Sequence, residues 1–244
     1  MEKIYSRPVG LKKNINGYCP GCLHSAAGKV IMSVLEELDL LERAMFVDGV
    51  GCCASNGTYI DLDTMGSPHG RPCAVASAVK RISPETIVLT YQGDGDLASI
   101  GLAETMMAAN RGDNITVFFI NNANYGMTGG QMAPTTLMDM KTSTTPYGRN
   151  SAEHGYPMHM CEVLNALTAP SYLARVTCAD APNARKAREA VKTAIQHQLD
   201  RKGFSMVEFI SNCPTNWGLS PLESLKFLKD KMLVEFPLGE FRNR

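Results

Sequence analysis

Asp94 and Asn122 are the residues whose types and positions most directly indicate chemistry. Asp94 lies in the glycine-rich turn 93–96 (GDGD), and Asn122 lies 28 positions later in the segment 121–126 (NNANYG). Each segment follows a predicted buried strand, so both side chains would stand at the carboxyl ends of parallel strands, where ligands bind. Mg²⁺ prefers oxygen ligands of these kinds and keeps its other positions for phosphate and water. The spacing therefore predicts a site for magnesium and phosphate.

The glycines around Asp94 favour a diphosphate as the ligand. They would let the backbone approach a bulky anion, and the helix that follows would present its N–H groups to it. Either segment alone is more simply explained as a turn or a strand end, because Gly, Asp and Asn are the commonest turn residues. Their combination, separated by one helix and one strand, favours a diphosphate–magnesium site over that simpler explanation.

Cysteines form a second group with possible chemistry. Cys19 and Cys22 make a CxxC pair in a turn ahead of the first predicted helix. The pair can bind one metal centre, and a cubane cluster would need two more cysteines from elsewhere. Those candidates are Cys52, Cys53, Cys73, Cys161, Cys178 and Cys213. An iron–sulfur cluster, a zinc ion and a thioredoxin-like redox pair are all open on these residues alone.

Position in the chain separates the six further cysteines. Cys161 and Cys178 fall within a predicted helix and at a strand end, where a small buried hydrophobe is the simpler explanation. Cys73 follows a proline at a helix start and is ambiguous. Cys52 and Cys213 lie in loops and complement the CxxC pair best.

Alternating strands and helices would position these groups. Helical spacing covers residues 22–39, 69–80, 97–109, 158–167 and 182–199. Buried-strand patterns cover residues 44–47, 86–90, 115–120, 172–176 and 205–210. This alternation predicts an α/β fold with a mainly parallel sheet and helices on both faces. Residues 126–155 lack periodicity and predict a long ordered loop, and the tail from about residue 233 is expected on the surface or on a partner.

Composition limits the class of protein. The 244 residues suit a single domain over 1–244, with an N-terminal cysteine loop and a C-terminal tail that contacts a partner. With 24 basic and 24 acidic residues, the formal net charge is zero, so we expect neither nucleic acid nor a membrane surface as a partner. The N-terminus lacks the apolar run of a secretory signal and no segment is apolar enough to span a membrane, so we expect a cytoplasmic protein with reduced thiols.

The two polar segments together resemble the signature of the thiamine-diphosphate enzymes, in which GDG precedes NN. Residues 124–131 (NYGMTGGQ) are similar to those of the 2-oxoacid:ferredoxin oxidoreductases in particular. Further similar segments are 18–22 (YCPGC), 145–149 (TPYGR), 155–159 (GYPMH) and 236–239 (FPLG). The resemblance thus covers nearly the whole chain, and it is strongest to subunits that act on branched-chain 2-oxoacids such as 2-oxoisovalerate.

The resemblance implies roles for the polar residues around these segments. The Mg²⁺ ligands would be Asp94, the side chain of Asn122 and the backbone carbonyl of Asn124. The residues expected to contact thiamine diphosphate are Gly93, Asp94, Gly95, Asp96, Asn122, Asn124, Tyr125, Gly126, Thr128 and His69. His69 and Arg71, from the segment 69–71 (HGR), are the candidates for catalytic contact, although a histidine near a helix start is more often a cap or a surface residue.

The resemblance also implies a [4Fe–4S] cluster close to the cofactor. Its ligands would be Cys19, Cys22, Cys52 and Cys213, with Cys53 as an alternative to Cys52. His24, two positions after Cys22, also recurs in some members of the family that the chain resembles, but could simply be an exposed helix residue.

The implied activity is oxidative decarboxylation of a 2-oxoacid to an acyl-coenzyme A, with electrons passing through the cluster to ferredoxin. The implied partners are alpha, gamma and ferredoxin-like delta subunits, and one of them would supply the glutamate that acts on the aminopyrimidine ring. Glu104 is adequately explained as a structural helix residue. The alternatives are a subunit specific for 2-oxoglutarate or pyruvate, a non-oxidative thiamine-dependent decarboxylase subunit, and a non-catalytic iron–sulfur or zinc protein.

Overall fold

Seven strands form one sheet in the computed structural model of the chain, which describes residues 6–244. The strands are β1 (Ala44–Asp48), β2 (Asp63–Gly66), β3 (Ile87–Gly93), β4 (Thr116–Asn121), β5 (Tyr172–Thr177), β6 (Ser205–Ile210) and β7 (Gly239–Asn243). They lie in the order β2-β1-β3-β4-β6-β5-β7, and all neighbours are parallel except β5 and β7. The first five residues, which begin the N-terminal stretch that we interpreted as lacking a secretory signal, lie outside the described residues.

Helices cover both faces of this sheet. They are α1 (His24–Glu37), α2 (Asn56–Tyr59), α3 (Pro72–Ile82), α4 (Leu102–Arg111), α5 (Ser151–His154), α6 (Met160–Asn165), α7 (Ala181–Leu199), α8 (Pro214–Trp217), α9 (Pro221–Phe227) and α10 (Leu233–Glu235). Helices α1 and α7 pack on one face, and α3, α4 and α6 pack on the other. The prediction of an α/β fold with a mainly parallel sheet is confirmed. Within residues 6–244, no helix combines the length and the apolar character needed to cross a bilayer.

The core explains why the central strands read as continuous apolar runs. Every residue of β4 is buried, and its side chains alternate between the two faces of the sheet. Phe118 and Ile120 pack with α1 and α7, whereas Val117 and Phe119 pack with α3, α4 and α6. A parallel strand with helices on both sides has no solvent face, so it carries no polar alternation.

The edges of the sheet were not predicted from the sequence. Each residue of strand β2 is exposed, and β7, within the tail that we expected at the surface, is exposed or half-buried. Strand β7 pairs in antiparallel fashion with β5, and Arg242 from β7 donates to the carbonyl oxygens of Leu167 and Pro170. Edge strands of this kind lack the buried apolar run on which sequence prediction depends.

Residues 126–155 form the long ordered loop that the sequence predicts, with α5 as its only regular element. Arg149 stabilises the loop from within, because its buried guanidinium donates to five backbone carbonyl oxygens. The loop returns Thr135 and Thr136 to the carboxyl ends of the central strands. It thus supports the candidate site directly.

Candidate functional site

Asp94 and Asn122 lie together at the carboxyl edge of the sheet. Strands β3 and β4 are parallel neighbours, so the turns that follow them meet there. Oδ2 of Asp94 accepts hydrogen bonds from the backbone N–H groups of Asn122 and Asn124, each at 3.2 Å, and from the Thr135 hydroxyl at 2.8 Å. The carboxyl group is thus fixed by the neighbouring turn while its other oxygen, Oδ1, is left for a further partner.

The Asn122 amide faces that second oxygen. One of its terminal atoms lies 3.3 Å from Asp94 Oδ1 and 2.9 Å from the carbonyl oxygen of Asn124. With its nitrogen turned inward, the amide donates to both oxygens. With its oxygen turned inward, three oxygens surround one point, which is the environment that a hard cation requires. The chemistry of these groups therefore fits a Mg²⁺ ion.

Burial controls the ionisation of Asp94. Burial raises the pKa of the Asp94 carboxyl to about 7, although hydrogen bonds from Thr135 and from the backbone oppose the rise. A buried carboxylate needs a partner of opposite charge, or else it retains its proton. A cation between Asp94 and Asn122 would supply that charge.

The turn between Asn121 and Asn124 satisfies nearly all of its own backbone. Ala123 adopts a left-handed conformation with φ of 59°, and its carbonyl oxygen accepts from Thr136. The carbonyl of Asn122 accepts from the indole N–H of Trp217 at 3.2 Å. Among the described residues, only the Asn122 amide is placed to donate to the backbone carbonyl of Asn124. The buried side-chain Oδ1 of Asn124 has no donor among them. Both atoms are thus available to a bound group.

Asp96, the second acid of the turn, is occupied by protein donors. Its Oδ1 lies 2.6 Å from Nδ1 of His69 and also accepts from the backbone N–H groups of Val50 and Gly70. Its Oδ2 accepts from the Gln92 side chain at 2.6 Å. Asp96 lines the cofactor cavity, but its hydrogen bonds fix the position of His69.

His69 and Arg71 have different settings. His69 lines the same cavity as Asp94, with its side chain 30% exposed and its ring near Tyr125. Arg71 is absent from the lining of that cavity, and its guanidinium pairs with Glu104 at 2.8 Å. The geometry therefore supports contact with a cofactor for His69, whereas Arg71 is turned toward helix α4.

Gly95, Gly93 and Thr128, all predicted to contact the cofactor, have different surroundings. A Cβ on Gly95 would lie 2.2 Å from the Tyr125 ring, so glycine is required there by packing. A Cβ on Gly93 would meet nothing within 4 Å, so the space beside it is open to a ligand. Thr128 lines the cavity, and its hydroxyl donates to the Gln131 side chain.

Four cysteines line a second cavity beside the first. Cys19, Cys22, Cys52 and Cys213 surround a volume of about 330 Å³, whereas a single water molecule occupies about 30 Å³. All four are free thiols. The cavity is therefore large enough for a group of several atoms. Gly126 lines both cavities, and a Cβ on it would lie 3.1 Å from the sulfur of Cys52.

The structure distinguishes Cys52 from Cys53. Cys53 is 1% exposed, packs in the hydrophobic core, and donates its thiol to the carbonyl of Val50. Cys52 faces the other three thiols, and burial together with the proximity of Cys213 raises its pKa to about 11. Burial likewise raises the pKa of Cys22 to about 12. These thiols stay protonated until a metal displaces their protons.

Comparison with known proteins identifies the family of this chain. Residues 49–209 match the family described as "Thiamine pyrophosphate enzyme, C-terminal TPP binding domain", a name that refers to the same cofactor as thiamine diphosphate. The 2-oxoglutarate synthase subunit KorB of Methanocaldococcus jannaschii is 36% identical over 222 residues, covering 88% of this chain and 78% of that subunit. The chain belongs to the thiamine pyrophosphate enzymes. Within them it groups with 2-oxoacid oxidoreductase subunits, as the resemblance implies.

Two further similar proteins bear on the family. The ketoisovalerate oxidoreductase subunit VorA of Methanothermobacter thermautotrophicus is 45% identical over 244 residues, which is all of this chain but 51% of that subunit. The chain thus spans about half the length of the VorA relatives that it matches. A solved 2-oxoglutarate:ferredoxin oxidoreductase from Magnetococcus marinus, with 2-oxoglutarate, coenzyme A and succinyl-CoA bound, superposes with a TM-score of 0.83 at 25% identity. It covers 99% of this chain and 86% of that one.

His24 is buried, so the simpler explanation of it as an exposed helix residue is wrong. It is 2% exposed and lines both cavities. Its Nδ1 lies 3.0 Å from the Tyr91 hydroxyl, and its ring stacks on Tyr18 with centroids 4.9 Å apart. Burial lowers the pKa of His24 to about 4, so the ring is neutral near pH 7.

Sequence reasoning also missed the residues that support the site from distant parts of the chain. Thr135 bonds Asp94, Trp217 bonds Asn122, and Asn216 donates to both Gly126 and the sulfur of Cys213. No local pattern could identify them, because their partners lie from 3 to 95 positions away and the long-range partners depend on the packing of loops. Cys73, Cys161 and Cys178, by contrast, lie in or against the core, as a small hydrophobe would.

Proposed function

We propose that this chain is the thiamine-diphosphate-binding subunit of a 2-oxoacid:ferredoxin oxidoreductase that forms an acyl-coenzyme A. The observation that carries this function is the convergence of Asp94 Oδ1, the Asn122 side-chain amide and the Asn124 carbonyl, next to a cavity lined by four thiols. The first group suits a Mg²⁺–diphosphate and the second suits a cluster. Their adjacency supports the transfer of electrons from one to the other.

The oxygens of Asp94, Asn122 and Asn124 would hold Mg²⁺, and Gly93 leaves room beside them for the diphosphate. When bound, thiamine diphosphate supplies the chemistry that removes CO₂ from a 2-oxoacid. Asp96 accepts from Nδ1 of His69, which fixes the ring orientation and leaves Nε2 without a partner among the described residues. That nitrogen can therefore hold or accept a proton at the substrate.

The four thiols support a [4Fe–4S] cluster rather than a zinc ion. The four thiols line one cavity of about 330 Å³. A cubane cluster distributes its four thiolates over four iron atoms, so they need not converge on one point. The presence of these thiols also makes a non-oxidative decarboxylase the weaker alternative, because such an enzyme has no use for a redox centre.

A branched-chain 2-oxoacid such as 2-oxoisovalerate is the substrate that we favour. The described residues that line the cofactor cavity include Val50 and Met127 but no Lys or Arg. A substrate with a second carboxylate, such as 2-oxoglutarate, would need a cation there or on a partner subunit. The 45% identity to ketoisovalerate oxidoreductase subunit VorA supports the same choice.

Partner subunits are part of this function. We expect alpha, gamma and ferredoxin-like delta subunits, with ferredoxin as the electron acceptor, and a partner glutamate for the aminopyrimidine ring. Glu104 does not line the cavity and pairs with Arg71, which supports a structural role. We keep 1–244 as one domain whose tail, including β7, contacts a partner. A cytoplasmic location follows if the thiols are to stay reduced.

An activity assay of the complex that co-purifies anaerobically with this chain tests the function. We expect coenzyme A-dependent reduction of a viologen dye with 2-oxoisovalerate, slower reduction with 2-oxoglutarate or pyruvate, and visible absorption from the cluster. The isolated chain should bind thiamine diphosphate weakly and should not turn over. Decarboxylation without dye reduction would favour the non-oxidative alternative. Absence of any binding of thiamine diphosphate and Mg²⁺ would contradict an enzymatic role.

A further inference from the structure

Glu208 is a buried carboxylate that the candidate site does not contact. It lies in the middle of strand β6 with no exposed surface. Its Oε2 accepts from Nε of Arg175 on β5 at 2.8 Å, and its Oε1 accepts from Nδ2 of Asn121 at 2.9 Å. Asn121 is the last residue of β4 and directly precedes Asn122. Glu208 is therefore one hydrogen bond and one peptide bond away from Asn122 in the candidate cation site.

The side-chain amide of Asn121 connects Glu208 to the turn that follows β4. Its Oδ1 accepts from the backbone N–H of Ala123 at 3.3 Å. The neighbouring N–H groups of Asn122 and Asn124 both donate to Asp94, so the N–H of Ala123 is the one in this turn that Asp94 does not hold. Ala123 has a positive φ, a conformation that a residue with a side chain adopts only when its surroundings enforce it.

We propose that Glu208 is a positioning residue for the cofactor cation. By accepting from Nδ2 of Asn121, it turns Oδ1 toward Ala123 and so holds the left-handed turn. That turn directs the Asn122 side chain and the Asn124 carbonyl toward Asp94. The role rests on the proposed function, since it concerns the same Mg²⁺–diphosphate site, but the effect on the turn exists before any cofactor binds.

Arg175 explains why a carboxylate is needed at position 208. Its guanidinium has no exposed surface, lies against the rings of Phe236 and Phe241, and also pairs with Glu162. In Glu208→Gln, the arginine would attract the amide oxygen and so direct the amide N–H₂ toward Asn121. The Asn121 amide would then have to rotate, and its own N–H₂ would face the N–H of Ala123. We call the hydrogen bonds from Ala123 to Asn121 and from Asn121 to Glu208 the relay. One substitution thus exchanges the donor and acceptor sides of the Asn121 amide in this relay.

Four variants of the full chain, purified with its accompanying subunits, test this role. Glu208→Gln reverses the relay, and Asn121→Ala removes it while leaving the Arg175–Glu208 pair. Glu162→Gln is the matched control, because it makes the same change of charge on the same arginine but does not touch Asn121. The double variant Asn121→Asp with Glu208→Gln again offers an acceptor to Arg175 and to the N–H of Ala123. It also keeps the net charge.

The first readout needs no cofactor. We measure amide hydrogen exchange at Ala123 in the cofactor-free protein. Glu208→Gln and Asn121→Ala should each increase exchange at this amide by about tenfold or more, as expected for the loss of one buried hydrogen bond. Glu162→Gln and the double variant should stay within about threefold of wild type. Equal exchange in all five proteins would overturn the role of Glu208.

The second readout is the affinity for thiamine diphosphate in the presence of Mg²⁺, measured by calorimetry. Glu208→Gln and Asn121→Ala should weaken binding by about tenfold or more, with recovery in the double variant. If Glu208→Gln does not fold, the double variant decides, because it contains the same change at position 208: binding like that of wild type supports the role of Glu208, and a loss of binding overturns it. An equal loss of affinity in Glu162→Gln would show general destabilisation and would overturn the inference. If wild type does not bind the cofactor, the proposed function fails, and hydrogen exchange still decides the role of Glu208.

Discussion

Asp96 holds His69 by a hydrogen bond of 2.6 Å between its Oδ1 and the imidazole Nδ1. The two acids of the glycine-rich turn therefore have separate tasks. Asp94 faces the amide of Asn122, whereas Asp96 fixes the imidazole of His69, which lines the cavity beside it. Division of work between two nearby carboxylates, set by their different surroundings, is common in enzyme sites.

Replacement of His69 by alanine should reduce turnover more than binding. We expect kcat of the complex to fall by about a hundredfold, the effect of losing a proton-transferring group. The affinity for thiamine diphosphate should stay within about threefold, since the oxygens around the cation are unchanged. Steady-state kinetics and calorimetry separate the two effects. Arg71→Ala is the comparison, and a fall in kcat as large as that of His69→Ala would show that Arg71 acts directly.

Replacement of Asp94 by asparagine should abolish Mg²⁺-dependent cofactor binding. The amide keeps one oxygen for the N–H groups of Asn122 and Asn124 but removes the negative charge from the cation. We expect the affinity for thiamine diphosphate to fall by about a hundredfold or more, with little change in fold. Calorimetric titration measures the loss. Asp63→Asn, at an exposed position on β2, is the control. Unchanged affinity in Asp94→Asn would remove Asp94 from the set of ligands.

Replacement of Cys52 by serine should remove the iron–sulfur cluster, whereas Cys53→Ser should keep it. Cys52 faces the other three thiols, and Cys53 donates its thiol to a carbonyl within the core. Anaerobic iron and sulfide analysis, together with visible absorption, measures the cluster content. Full cluster content in Cys52→Ser with loss in Cys53→Ser would assign the ligand to Cys53 instead.

Two glycine substitutions should affect different properties: one the stability of the fold and the other the binding of the cofactor. Gly95→Ala brings a methyl group to 2.2 Å from the Tyr125 ring, so we expect a loss of stability of about 1–3 kcal/mol from overpacking. Gly93→Ala meets no protein atom within 4 Å, so it should fold normally but should obstruct the space for the diphosphate. Chemical denaturation and calorimetry with thiamine diphosphate distinguish the two. Wild-type affinity in Gly93→Ala would mean that the diphosphate lies elsewhere.

Asp48 should make stability depend on pH. Burial raises the pKa of this carboxyl to about 7, with a hydrogen bond from Asn56 opposing the rise. The unfolded chain releases the same proton near pH 4, so between about pH 4 and pH 7 the folded chain binds more protons. The free energy of unfolding contributed by Asp48 therefore falls as the pH rises across this range, and it levels off above it.

Asp48→Asn removes this dependence, because the amide carries no charge at any pH. The difference in Tm between Asp48→Asn and wild type, at the same cofactor content, should increase in favour of the variant by about 3 °C or more from pH 5 to pH 8. Thermal unfolding at both pH values measures the difference. Asp61→Asn, at an exposed position, should show no such change. The same Tm difference at pH 5 and pH 8 would mean that Asp48 is ionised throughout.

The sequence determined the fold class and the position of the main site. Buried apolar runs at 115–120 and 205–210 specify strands because a parallel strand has no solvent face, and polar turns such as 93–96 must then fall at strand ends. Asp94 and Asn122 follow consecutive strands, which are usually neighbours in a sheet. Types and spacing alone were therefore enough to predict that they would meet.

Only the tertiary structure decided between residues that have the same local pattern. Cys52 and Cys53 are adjacent and chemically identical, yet one faces the thiol cavity and the other the core. His24 and Arg71 lie at helix starts, but packing buries the first between two cavities and turns the second away from them. The direction of a side chain depends on which elements pack against it. Periodicity in the sequence records burial, but it does not record which distant residue causes it.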